Sequence, residues 1–293
     1  MSAGPEDPDL RSSFRRLVPR SLFLVPPRST LPLAMPAARL NGIEVYWQEQ
    51  GAGYPVVLTH GLGDCAELWT PLTEALADRY RVVSWDMRGH FRTEAPDDLA
   101  LYTQDIVVED LRALCDHLGI ERAVFGGHSL GGYTALRFRE KYPARVAALV
   151  LHAAGPGYRN QEGSQAWTDR LEKLAARQES EFARDARRPA KELRVGAPAL
   201  GELAQHEVRG VANVERGVMA HPYFIDATKI DVPAIVIVGE RDKGYLASAD
   251  YFAGKLPNGR RVVVPDAGHP AMLEQPAIVN AAVREFLDGL SLT

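Results

Sequence analysis

Apolar and polar positions alternate after about residue 40 in a pattern that predicts strands and helices in turn. Short apolar runs predict strands at Ile43–Gln48, Tyr54–Thr59, Arg81–Trp85, Arg122–Phe125 and Val146–Leu151. Apolar residues at helical spacing lie between these runs, at Leu68–Tyr80, Thr103–Leu118 and Ser129–Tyr142. Parallel strands need crossover connections, which are usually helices, so this alternation predicts an α/β fold with a mostly parallel sheet and helices on both faces.

The same pattern resumes near the C-terminus after a long interruption. Ile230–Val238 and Arg261–Val264 predict strands, and Ile278–Leu287 predicts a closing helix. The interruption, residues 155–228, is charged, helical in propensity and without clear strands. Because ligands of open α/β sheets bind beyond the carboxyl ends of the strands, we interpret it as a helical lid insertion. A helical subdomain with no role in binding is the alternative. The core then consists of residues 36–154 and 229–293.

The first 35 residues differ from the rest in being rich in Pro, Arg and Ser. This composition predicts a disordered N-terminal extension, and whether Met35 is the true start stays an open question. Arginine and serine enrichment hints at organelle targeting, whereas Glu6, Asp7 and Asp9 oppose it, so targeting also stays open.

Composition excludes several classes of function. The chain has 293 residues, 46% of them hydrophobic, and a formal net charge of −4, so neither nucleic acid nor an anionic membrane is an expected partner. No apolar run approaches the roughly 18 residues of a membrane span. The two cysteines, Cys65 and Cys115, form no disulfide framework and favour a reducing compartment, with the cytoplasm as the expected location. The oligomeric state stays open.

The stretch Gly127-His128-Ser129-Leu130-Gly131 matches G-x-S-x-G between a predicted strand and a predicted helix. A residue on so sharp a turn adopts a strained backbone, and its neighbours two positions away must be small. We therefore predict that Ser129 is an exposed nucleophile. The alternative is a glycine-rich turn with a serine that caps the helix.

A serine nucleophile needs a base and a carboxylate that orients the base. His269 lies in a loop between the last predicted strand and the last helix, which predicts it as the base. Asp242 follows the preceding strand and is the predicted acid, with Glu240 and Asp266 as alternatives. The order is then serine, acid, histidine.

Backbone N–H groups are the expected donors to a developing oxyanion. The N–H of Leu130 directly follows the nucleophile, and the N–H of Leu62 lies in the loop after an early strand. His60 in that loop is expected to hold the loop by hydrogen bonds. No phosphate-binding glycine pattern and no metal spacing is present, so we expect neither a cofactor nor a metal.

These motifs together resemble the α/β-hydrolase superfamily. They occur in the expected order: HGLGD at 60–64, DMRGH at 86–90, GHSLGG at 127–132, GERD at 239–242 and DAGH at 266–269. Within the superfamily the core is most similar to small esterases and enol-lactonases. Phe91 departs from the pattern, since relatives usually carry glycine there. Epoxide hydrolases carry an aspartate nucleophile, and many carbon–carbon bond hydrolases carry a tryptophan where Pro270 stands.

The expected function is a cofactor-free serine hydrolase that cleaves a carboxylic ester or lactone of a small molecule through an acyl-enzyme on Ser129. The alternatives are a ligand receptor of the same fold with vestigial hydrolysis, an acyltransferase or perhydrolase, and a carbon–carbon bond hydrolase. The natural substrate stays open.

Overall fold

The computed structural model describes residues 36–185, 208–256 and 258–292. The predicted N-terminal extension and residues 186–207 of the predicted lid lie outside the described residues. Within these ranges one sheet has eight strands in the order β1-β2-β4-β3-β5-β6-β7-β8. The strands are β1 (Ala37–Leu40), β2 (Ile43–Gln50), β3 (Tyr54–Thr59), β4 (Tyr80–Trp85), β5 (Ala123–His128), β6 (Val146–His152), β7 (Ala234–Gly239) and β8 (Gly259–Val264).

The sheet is mixed but mostly parallel. β1 pairs antiparallel with β2, and β2 pairs antiparallel with β4, whereas the pairings from β4 through to β8 are all parallel. The predicted fold class is therefore confirmed. Since parallel strands point the same way, the carboxyl ends of β3, β5, β7 and β8 all lie at one edge of the sheet.

Helices cover both faces of the sheet because neighbouring strand residues point to opposite sides. Val57 faces a core that includes residues of α2 and α3, and Val56 faces a core that includes residues of α1 and α7. Among the described residues, the α-helices include α1 (Thr70–Leu76), α2 (Gln104–His117), α3 (Leu130–Lys141), α4 (Gln161–Asp185), α5 (Lys243–Lys255), α6 (Ala271–Glu274) and α7 (Pro276–Asp288).

Some predicted element bounds are wrong. The helix predicted over Leu68–Tyr80 is a 3-10 turn, Ala66–Trp69, followed by α1, and Tyr80 already begins β4. The strand predicted from Ile230 begins at Ala234, directly after Pro233, which has no N–H to donate to a ladder.

A helical insertion follows β6. It contains α4, helical residues 208–213 and a π-helical turn, Val214–Val218, that packs against α4. The indole of Trp167 on α4 donates a hydrogen bond to the carbonyl of Met219 at 3.1 Å.

The two ends of the insertion are joined by backbone contacts. The N–H of Ile225 donates to the carbonyl of Pro156 at 2.7 Å, and Tyr158 forms a parallel bridge with Tyr223. None of the helices in the described ranges has the length and apolar character needed to cross a bilayer.

Candidate active site

Ser129 occupies a strained turn between β5 and α3. Its backbone has φ 51° and ψ −112°, a conformation that residues other than glycine rarely adopt. The turn is fixed by neighbours, because the Ser129 N–H donates to the carbonyl of His152 at 2.8 Å and its carbonyl accepts from Tyr133 at 3.1 Å. Strain of this kind aims a side chain outward from the sheet edge, as the sequence motif requires.

The flanking glycines are needed because the backbone approaches itself closely. A Cβ atom on Gly127 would lie 2.1 Å from the carbonyl carbon of Gly131, and one on Gly131 would lie 2.2 Å from the carbonyl oxygen of Thr59. Any larger residue at either position would open the turn or push it off the end of β3.

The structure brings Asp242 and His269 together. Nδ1 of His269 lies 2.7 Å from Oδ2 of Asp242, and both side chains are largely buried. Asp242 follows β7 and is the N-cap residue of α5, and His269 follows β8. Because a carboxylate oxygen accepts, Nδ1 carries a proton, and Nε2 of a neutral His269 is left as the proton acceptor.

The alternative carboxylates lie elsewhere. Glu240 accepts a hydrogen bond from the backbone N–H of Asp266 at 3.1 Å. The side chain of Asp266 is 84% exposed. Of these three acids, Asp242 alone bonds to His269 within the part of the chain that the structure describes.

The two backbone donors expected for an oxyanion are free of other partners. In the described ranges neither the N–H of Leu62 nor that of Leu130 donates a hydrogen bond. Leu130 is the first residue of α3, where helix N–H groups lack intrahelical partners. The loop that carries Leu62 touches this helix start, since a Cβ on Gly131 would lie 2.4 Å from the carbonyl oxygen of His60.

His60 holds the same loop by both ring nitrogens. Nδ1 donates to the carbonyl of Gly61 at 2.6 Å, and Nε2 accepts from the N–H of Met87 at 2.9 Å. Burial lowers the pKa of His60 to about 4, so it is neutral near pH 7. A neutral imidazole that donates at one nitrogen and accepts at the other fits a structural role.

Sequence reasoning missed Tyr245, which contacts two of the predicted catalytic residues. Its hydroxyl lies 3.4 Å from Oγ of Ser129, and its ring lies 4.7 Å from the ring of His269, tilted by 33°. No hydrogen bond joins Ser129 to His269 among the described residues. The available signal was the position of Tyr245, three residues after Asp242, which places both on the first turn of one helix.

His128, next to Ser129 in the chain, packs its ring 4.6 Å from that of His269. One ring nitrogen lies 3.3 Å from the carbonyl oxygen of His269, and the other lies 3.6 Å from a carboxylate oxygen of Asp64. Burial lowers the pKa of His128. This side chain therefore contacts both the loop after β3 and the loop that carries His269.

Among the residues that the structure describes, one cluster of side chains has the spacing to hold a metal ion. Ligand atoms of Cys65, Glu67 and Asp86 lie within 4.8 Å of one another. However, the guanidinium of Arg92 pairs with both carboxylates, at 2.9 Å for Asp86. Asp86 also accepts from the N–H of Ala66 at 2.6 Å. The arginine cation already pairs with both acids, so the cluster fits an ion-pair network and not a metal site.

Comparison of the sequence with known proteins identifies the family to which the chain is similar. The model of the alpha/beta hydrolase fold family matches residues 54–209. A Bacillus subtilis protein, provisionally named 2-succinyl-6-hydroxy-2,4-cyclohexadiene-1-carboxylate synthase, is 31% identical over 268 residues, which cover 85% of this chain and 97% of that protein.

Two solved structures are similar over most of the chain. A thermophilic esterase from Thermogutta terrifontis is 30% identical with a TM-score of 0.68, covering 84% of this chain and 93% of its own. An enol-lactonase from Burkholderia xenovorans LB400 is 27% identical with a TM-score of 0.69, covering 86% and 100%. Other matches are named as epoxide hydrolases and as a meta-cleavage product hydrolase.

Proposed function

Since the chain belongs to the alpha/beta hydrolase fold family, we propose that it is a cofactor-free serine hydrolase of a small carboxylic ester or lactone. The reaction passes through an acyl-enzyme on Ser129. The observation that carries this proposal is the coincidence of a strained Ser129 and a 2.7 Å Asp242–His269 pair at one edge of the sheet.

In the proposed mechanism, His269 takes the proton of Ser129 at Nε2 while Oγ attacks the carbonyl carbon. Asp242 keeps the imidazole in the tautomer that accepts at Nε2 and stabilises the imidazolium. The negative charge that develops on the carbonyl oxygen is met by the N–H groups of Leu62 and Leu130. His269 then returns the proton to the leaving alkoxide, and water activated by the same histidine releases the acid.

The choice of ester or lactone is supported by the nucleophile and by the similar proteins. A serine hydroxyl attacks carbonyl carbon, whereas the epoxide hydrolases that the chain resembles in fold carry an aspartate nucleophile. Proteins named as an esterase and an enol-lactonase are 30% and 27% identical to the chain. The similarity to the Bacillus subtilis protein named as a synthase favours a second candidate, a non-hydrolytic reaction at the same serine and histidine that leaves no acyl group on Ser129.

The test is covalent labelling with a fluorophosphonate, read by intact mass and peptide mapping. We expect one adduct on Ser129 in the wild-type protein and none in Ser129→Ala. The matched control is Ser248→Ala, which removes a serine from α5 and should label as the wild type does.

A second measurement distinguishes the two candidates. Quenching during turnover of a slow ester should trap the mass of an acyl group on Ser129 if the proposal is right. A protein that labels at Ser129 but never accumulates or turns over an acyl group on any ester or lactone would favour the second candidate. Absence of labelling on folded protein would contradict an activated serine altogether.

A further inference from the structure

We propose that Tyr245 is a further catalytic residue, whose phenolic hydroxyl donates a hydrogen bond to the leaving-group oxygen of the ester. The inference rests on the proposed function, because it assigns a leaving group to a reaction at Ser129. It goes beyond that function in naming a residue that no sequence motif of the chain marks.

The position of Tyr245 is fixed by the same residue that orients the base. Its backbone N–H donates to the carbonyl of Asp242 at 3.0 Å, on the first turn of α5. Its ring packs against the ring of His269 at 4.7 Å, and its hydroxyl reaches to 3.4 Å from Oγ of Ser129. Tyr245 therefore contacts acid, base and nucleophile, and it does so from a rigid element.

These contacts determine which part of a bound ester the hydroxyl meets. When Oγ bonds to the carbonyl carbon, the oxyanion faces the N–H groups of Leu62 and Leu130, and the leaving oxygen faces His269, which must protonate it. A hydroxyl that is close to Oγ and belongs to a ring stacked on His269 lies on the leaving-group side. It is within reach of an oxygen held between Ser129 and His269.

The phenol is suited to donate a hydrogen bond and keep its proton. Burial is the largest influence on Tyr245 and raises its pKa above the ordinary value, and the nearby charge of Asp242 acts in the same direction. In the first step the bond from Oγ to carbon forms, and the proton of Ser129 passes to His269. In the second step the bond from carbon to the leaving oxygen breaks, and the same proton passes from His269 to that oxygen. Tyr245 loses no proton in either step.

A packing role for the ring predicts a different result from a donor role for the hydroxyl. Tyr245→Phe keeps the ring and removes the hydroxyl alone. If the hydroxyl stabilises negative charge on the leaving oxygen, its loss matters for an alcohol that is a poor leaving group and hardly at all for a stabilised phenolate. If the residue only packs, both kinds of ester lose activity together or neither does.

The experiment compares kcat/KM of wild type and Tyr245→Phe on ethyl butanoate and para-nitrophenyl butanoate, which share an acyl group. The ratio kcat/KM reports acylation, the step in which the leaving group departs. We expect a loss of about a hundredfold to a thousandfold on the ethyl ester, the order of a single transition-state donor, and a loss below about threefold on the nitrophenyl ester.

The matched control is Tyr251→Phe on the same helix. The hydroxyl of Tyr251 accepts from the N–H of Ala227 at 3.1 Å and lies 3.3 Å from the carbonyl oxygen of Ile225, so it is engaged elsewhere. This control should leave the ratio of the kcat/KM values for the two esters as it is in the wild type.

The outcomes separate the two proposals. Equal loss on both esters, or no loss on either, in a Tyr245→Phe protein that still labels at Ser129, would overturn the role of Tyr245 and leave the proposed function intact. A wild-type protein that neither labels at Ser129 nor hydrolyses either ester would overturn both.

Discussion

Asp242 is the residue that sets which ring nitrogen of His269 carries the proton. Its carboxylate accepts from Nδ1 of His269 at 2.7 Å, and in the proposed mechanism this contact leaves Nε2 free to accept the proton of Ser129. An amide in the same place would present either an oxygen or an NH₂ group to Nδ1. The NH₂ orientation stabilises the wrong tautomer of the imidazole, and an amide provides no charge to stabilise the imidazolium.

Asp242→Asn should therefore retain the fold and lose most of its turnover. We expect kcat to fall by about 10³ to 10⁴, measured on any ester that the wild type hydrolyses, with little change in the thermal midpoint. Asp266→Asn is the matched control, because the Asp266 side chain is 84% exposed and should leave kcat unchanged. Equal turnover in Asp242→Asn and wild type would remove Asp242 from the mechanism.

At the residue scale, the sequence could identify positions whose constraint is local. The requirement for small residues around Ser129 is a property of one turn, and Gly127 and Gly131 meet it. Tyr245 and His128 were missed because their contacts with His269 span sequence separations that no spacing rule covers. Phe91, noted as a departure from the family pattern, does take the positive φ of 43° that glycine adopts more easily.

Among the elements, the π-helical turn of the insertion carries an unusual buried acid. Glu215 is fully buried, and its Oε1 accepts from Gln178 of α4 at 3.1 Å. Its Oε2 has no hydrogen-bond partner within the described ranges. Burial raises the pKa of Glu215 to about 8, so this carboxyl is largely protonated near pH 7.

The raised pKa gives the element a pH-dependent stability with a definite sign. The folded state holds a proton that the unfolded state releases, so this contribution is complete below about pH 4.5 and is lost as pH rises through about 8. Glu215→Gln cannot ionise and should not lose it. We expect the difference in free energy of unfolding, variant minus wild type, to rise by about 2 kcal/mol from roughly pH 6 to pH 8. Urea denaturation at each pH measures it.

The control for Glu215 is Glu172→Gln, which removes an exposed partner of Arg216 on the neighbouring helix. This variant should follow the wild-type pH dependence. A constant difference between Glu215→Gln and wild type at all pH values would mean that the buried carboxyl does not titrate in this range.

At the element scale, the strands that form the middle of the sheet were predictable because they are short, apolar on both faces and bounded by polar loops. Helix α5 was not predicted, since its sequence KGYLASADYFAGK includes two glycines and has only a weak apolar stripe. The edge strand β1 is partly exposed along its length, so its burial pattern gives no strong signal. Packing against the rest of the sheet, rather than local preference, determines both elements.

The whole molecule contains several histidines that are buried in the neutral form. Burial lowers the pKa of His60 to about 4 and that of His90 and His152 to about 3, and it also lowers the pKa of His128. The unfolded chain binds protons below about pH 6.5 that the folded chain excludes. Full stability is therefore present above that pH and falls as pH is lowered towards the folded-state values.

His152 provides the clearest test of this acid sensitivity. Both of its ring nitrogens lack partners within the described residues, and its ring packs 5.2 Å from that of Trp69. Near pH 5, the free energy of unfolding of His152→Leu should change with pH less steeply than that of the wild type, by about 1.4 kcal/mol per pH unit. At neutral pH the two free energies of unfolding should agree within about 1 kcal/mol. His117→Leu, which replaces an exposed histidine, should keep the wild-type slope. An unchanged slope in His152→Leu would contradict its burial as a neutral group.

The joined ends of the insertion have a consequence for how such chains diverge. The hydrogen bond to the carbonyl of Pro156 and the bridge between Tyr158 and Tyr223 hold the two ends of the insertion together. Closure of the insertion therefore does not depend on which residues lie between these ends. Lengthening a loop whose ends already meet costs little additional closure entropy, and it leaves the strand pairing of the eight-stranded sheet unchanged. Substitutions and insertions in the segment between these ends can therefore accumulate while Ser129, Asp242 and His269 stay in place. Where this segment acts as the lid that its sequence predicts, such changes alter which molecules the chain recognises.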